Sequence, residues 1–112
     1  MSLKTVIDVS VSETQLREYF GLLVNSFFKI LPMKENREES LSVYMKSLQT
    51  ELLGGKGFVP ILFDSPYYLR LIFILQYLID TPDCPVQDVK REVFRAISIC
   101  NKLRDCYTAK EV

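Results

Sequence analysis

A chain of 112 residues is the size of one domain, and 48% hydrophobic with 25% charged residues is the composition of a folded one, which excludes general disorder. Lys plus Arg equals Asp plus Glu at 14 each, a balance that argues against a general polyanion binder. Histidine is absent, which removes Ser-His-Asp and Cys-His catalysis and every metal site that depends on imidazole.

At the N-terminus, residues 1–11 contain the alternating, β-branched segment Thr5-Val6-Ile7-Asp8-Val9-Ser10-Val11. This pattern suits a short strand or an extended arm. It includes Asp8 and has no apolar run of the length a secretory signal needs. Residues 12–108 are expected to form a single helical-bundle domain. The first helix should begin at Ser12, where Ser12-Glu13-Thr14-Gln15 fits a capping box. Leu16, Phe20, Leu23, Phe27 and Ile30 recur at helical spacing, and Pro32 should stop the helix. A second helix is predicted from Asn36, with Glu39 as its capping partner and Leu41, Tyr44, Met45, Leu48 and Leu52 as its stripe. Gly54-Gly55 should end it by permitting a left-handed cap.

Phe58-Val59-Pro60-Ile61-Leu62-Phe63 is an apolar segment whose proline confines it to a strand edge or bulge, so residues 5–11 and 58–63 are a potential strand pair. Ser65-Pro66 is a strong helix start, with serine as N-cap and proline at the first position. The third helix, Pro66 to about Asp80, is apolar on nearly every side and should therefore be the covered, central element, with Ile72, Leu75 and Ile79 buried. Its apolar stretch from Tyr67 to Ile79 is interrupted by Arg70 and Gln76 and falls short of the roughly 20 residues of a membrane span. After the turn Thr81-Pro82-Asp83-Cys84-Pro85, a fourth helix should run from about Pro85 to Tyr107 with Val86, Val89, Val93, Ala96, Ile97, Cys100, Leu103 and Tyr107 in its apolar stripe. Short turns between the first and second and the third and fourth helices favour antiparallel neighbours. The expected fold is all-α, a four-helix bundle-like single domain.

Five features invite a chemical reading. Arg91, Arg95 and Lys102 lie on one face of the fourth helix, a row suited to phosphate contacts, but Asp88, Glu92 and Asp105 flank it and favour a solvated face. Leu69 to Ile79 followed by Pro85-Val86-Gln87-Asp88-Val89 resembles two successive helices of a winged-helix regulator, over less than a third of the chain. That resemblance implies a DNA-reading helix after a turn of three or four residues, whereas Val86 to Leu103 contains no Gly or Pro to make one. Cys84 precedes a helix start, where a thiolate is favoured, yet it has no resolving cysteine nearby; an ordinary turn residue is the better reading. Leu53-Gly54-Gly55-Lys56-Gly57 follows a helix and lacks the hydroxyl residue of a phosphate loop, so helix termination explains it better. Glu35, Glu38 and Glu39 suit a helix start better than an acid/base pair.

With no C-x-x-C spacing, Cys84, Cys100 and Cys106 point to reduced thiols in a cytoplasmic protein. No catalytic residue, metal or cofactor is expected, and the chain is not expected to be an enzyme or a membrane protein. What stands out is surplus apolar material, which points to an interaction or regulatory protein that forms a homodimer, with an unlike protein as a further partner. Val6, Val9, Phe58, Val59 and Phe63 are the interface candidates. A regulator that contacts nucleic acid through Arg91, Arg95 and Lys102 is the alternative, and the neutral net charge weighs against it.

Overall fold

The computed structural model describes residues 15, 17–58 and 65–109, with residues 55–58 and 106–109 described by their backbone alone. All regular structure among them is helical. In chain order the elements are α1 (17–28), α2 (Ile30–Glu35), α3 (Leu41–Phe58), α4 (Pro66–Asp80) and α5 (Val86–Ala109).

α1 and α2 form one rod with a one-residue interruption at Lys29. Pro32 explains the interruption without ending the helix. It has no N–H to give the carbonyl of Phe28, yet Lys29 keeps a right-handed helical conformation (φ −62°, ψ −22°) and the chain continues to Glu35. The sequence-based stop at Pro32 is thus one turn too early. The true end is a Schellman motif: the N–H of Glu38 donates to the Met33 carbonyl at 3.0 Å, and that of Arg37 to the Lys34 carbonyl at 3.1 Å. The residue at its left-handed position is not glycine but Arg37, with φ 55°. This turn also delays the next helix, so α3 begins at Leu41 rather than Asn36, and Glu38 and Glu39 lie in the connection.

At its far end α3 passes through Gly54 and Gly55 to Phe58. No glycine among the described residues has positive φ, so the pair does not serve as the expected C-cap. The proposed strand pair of residues 5–11 and 58–63 lies outside the described residues except for Phe58, which closes a helix. α4 starts where expected: the Ser65 hydroxyl accepts from the Tyr68 N–H at 3.3 Å, with Pro66 at the first helical position. α5 is continuous from Val86 to Ala109 and, at about 1.5 Å per residue, roughly 36 Å long. No turn divides it, so the break that a helix-turn-helix needs before its recognition helix is missing.

With the α1–α2 rod taken as one unit, the helices pack in sequence order, and α2 also packs on α5, which closes the bundle. Tyr44 Oη donates to the Ser26 carbonyl at 2.7 Å (α3 to α1), and Gln49 Nε2 donates to the Ile72 carbonyl at 3.2 Å (α3 to α4). Phe20, Leu23 and Phe27 of α1, Ile30 of α2, Leu52 of α3, Leu71 and Leu75 of α4, and Val93, Ala96 and Cys100 of α5 are all fully buried in one core. A two-tyrosine chain crosses it. Tyr68 Oη donates to the Leu52 carbonyl at 2.6 Å, and Tyr19 Oη lies 3.2 Å from Tyr68 Oη with the proton free to point inward. Burial raises both phenols above their ordinary pKa.

α4 is central but not covered all round. Ile72 and Leu75 are buried as expected, while Ile79 is only partly so. Phe73 is 68% exposed and Tyr77 41%, both on the side away from the core.

Candidate functional site

The basic face of α5 is the first place to look for ligand contacts. Arg91 and Arg95 are each more than half exposed, but both are engaged. Arg91 Nη1 lies 3.5 Å from Asp88 Oδ1, and its Nε lies 3.4 Å from Glu92 Oε2. Arg95 Nη1 lies 3.6 Å from Glu92 Oε1. Glu92 is almost buried at 8% exposure, so one carboxylate holds two guanidinium groups against the helix surface. Lys102 at the other end sits 5.8 Å above the ring of Tyr67 from α4. The three cations share a face, as their spacing requires, and each already has a partner within the chain.

Cys84 is half-buried in the α4–α5 turn and packs against the core. Its backbone N–H donates to the Thr81 carbonyl at 3.1 Å, the ordinary bond of a turn. Cys100 is fully buried, and burial pushes its thiol up to about 12, with Arg104 opposing in part. A thiol so placed stays protonated and packs as a small apolar group. The side chain of Cys106 lies outside the described residues. Among the described residues no group of His, Cys, Asp and Glu is arranged to hold a metal ion, and no helix is long and apolar enough to cross a membrane.

A cleft of about 630 Å³ opens at the bundle end where the α2–α3 and α4–α5 connections meet. Lys34 ties the two connections together through its Nζ, which donates to the Pro82 carbonyl at 2.8 Å. Ile30, Met45, Leu78 and Val89 floor the cleft and are themselves buried. Lys34, Arg37, Glu38, Glu39 and Asp83 line it with mixed charge.

Large apolar side chains on the outside of the bundle are a stronger signal. Phe28 of α1 and Phe94 of α5 are each 44% exposed, yet they meet edge to face at a 5.8 Å centroid separation, and Lys90 stands 6.0 Å over the Phe94 ring. Phe73 and Tyr77, one turn apart on α4, have no such partner among the described residues. Neighbouring them on the same face are Arg70 and Asp80, both exposed, and neither forms an ion pair among the described residues. This patch escaped the sequence-based expectation because an apolar helix was assumed to need cover on every side. The signal was there in the spacing: Pro66, Arg70, Phe73, Tyr77 and Asp80 follow one another by four, three, four and three residues, one continuous outer stripe. The interface candidates Val6, Val9, Val59 and Phe63 lie outside the described residues, and Phe58 is described by its backbone alone.

No protein-family model, curated protein or solved structure matches this chain.

Proposed function

We propose that this chain is an interaction protein of the regulatory kind, working through the outer surface of its helical bundle and through association with a second copy of itself, with no catalytic step of its own. The observation that carries this reading is the exposed aromatic pair Phe73 and Tyr77 on the outside of α4, which meets no ring among the described residues. Large exposed aromatics that are grouped, and not scattered singly, characterise surfaces that meet another protein. The neutral net charge favours the same reading, because it leaves little long-range repulsion between copies. Contact with nucleic acid through Arg91, Arg95 and Lys102 lacks comparable support, since phosphates would have to displace Asp88 and Glu92 from the two arginines. Sedimentation equilibrium of the purified chain tests the proposal. A mass rising from one chain towards two as concentration increases to about 200 µM is the expected outcome. A single-chain mass throughout that range overturns self-association.

A further inference from the structure

The outer stripe of α4 has an arrangement that suits one partner in particular. Arg70 lies one turn before the aromatic pair and Asp80 one turn after it, on the same exposed face. They are ten residues apart, about 15 Å along the axis, too far to reach each other within one helix. Asp80 also sits in the last turn of α4, where the helix dipole disfavours an anion, and among the described residues its carboxylate accepts one hydrogen bond, from Gln76 Nε2 at 2.9 Å. A second α4 laid antiparallel, with its two-fold axis at position 75, brings residue 70 opposite 80 and residue 73 opposite 77. Both Arg70–Asp80 pairs then form, and both Phe73 rings meet Tyr77 rings. The stripe is complementary to its own reversed copy, which is the requirement for an isologous dimer.

We infer that a second copy of this chain docks on α4 in this antiparallel register, through Phe73–Tyr77 ring contacts flanked by reciprocal Arg70–Asp80 ion pairs. The inference rests on the self-association proposed above and adds to it the surface and the register. The four-three spacing of the stripe matches the packing class in which helices cross at about 20°. A helix of this length, about 22 Å, gives a small interface, so the dimer is a weak one with a dissociation constant in the range of tens of micromolar.

Charge exchange in the full chain tests the register without touching the core, because both charged side chains are exposed. Arg70→Asp places two Asp–Asp contacts across the two-fold axis, and Asp80→Arg places two Arg–Arg contacts there. Each variant alone should dimerise about tenfold more weakly. Mixing the two variants creates heterodimers with both pairs of opposite sign, and the mixture should recover the parental affinity to within about threefold. The double variant carrying both changes should recover it as a homodimer. If the parent dimerises and the single variants do so equally well, or if mixing restores nothing, this register is wrong while self-association stands. If the parent remains a single chain at about 200 µM, both this inference and the self-association reading fall together.

Discussion

The outer faces of α4 and α5 carry the same kinds of side chain and differ in how these are partnered. On α5 the charges stand one turn apart or adjacent, so Asp88 and Glu92 reach Arg91, and Glu92 reaches Arg95. Its exposed aromatic, Phe94, leans on Phe28 of α1. On α4 the charges are ten residues apart and the aromatics meet no ring among the described residues. Composition alone cannot separate these cases. What separates them is spacing: a face whose opposite charges fall three or four residues apart satisfies itself, and a face whose opposite charges stand ten residues apart, nearly three turns, is left with open partners.

The sharpest way to break the comparison is to contrast the two sides of α4. Leu75 is fully buried, and Leu75→Ala should destabilise the fold by about 2–5 kcal/mol in chemical denaturation. Phe73→Ala, at a position 68% exposed, should change monomer stability by less than about 0.5 kcal/mol when measured at low protein concentration. Equal losses would mean that the outer face is covered within the chain. A second contrast sets α5 against α4. Glu92→Gln removes the carboxylate that holds two arginines and should cost about 1 kcal/mol, an amount kept small by the exposure of both guanidinium groups. Arg70→Gln should leave monomer stability unchanged within about 0.3 kcal/mol, since Arg70 has no partner to lose among the described residues. The Glu92 effect should shrink in about 1 M salt, and an effect indifferent to salt would show that packing, not charge, is what Glu92 contributes. The smallest expected change is a gain. Arg37 holds a left-handed conformation that glycine adopts freely, so Arg37→Gly should stabilise the protein by about 0.5–1 kcal/mol, read as a shifted denaturation midpoint. A loss would mean that the arginine side chain contributes more at the cleft than its backbone costs.

The all-α bundle was legible because its signals are local and redundant. Phe20, Leu23, Phe27 and Ile30 repeat at helical spacing and are all fully buried, and Ser65-Pro66 starts α4 where the capping chemistry requires. Helix ends were harder to place, for definite reasons. Pro32 interrupts one hydrogen bond without forcing the chain out of helical geometry, because the rod is held by core contacts on either side. Gly54 and Gly55 permit a left-handed cap but do not oblige one, and α3 runs through both to Phe58 with no positive φ. Arg37 occupies the position where glycine would have signalled a C-cap, so the turn had no sequence marker. Arg91, Arg95 and Lys102 share one exposed face of α5, with Asp88 and Glu92 against the two arginines. The near burial of Glu92 between two arginines was not legible, because the spacing of α5 places that residue at the edge of its apolar stripe and only the packed bundle covers it.

The interruption at Lys29 bears on how this domain breathes. A helix propagates its stability bond by bond, and the missing Pro32 N–H leaves α2 tied to the long helix before it by one bond fewer, with Met33 N–H still donating to the Lys29 carbonyl at 3.4 Å. Six residues remain in α2, of which Ile30 alone is buried, and the unit ends in a turn with a strained arginine. Segments with so few buried contacts open without the rest of the molecule. One side of the cleft is formed by this short unit, held across the gap by the bond from Lys34 to Pro82. Hydrogen exchange should therefore show faster, local opening at this end of the bundle than in the layer around the fully buried Leu75 and Val93.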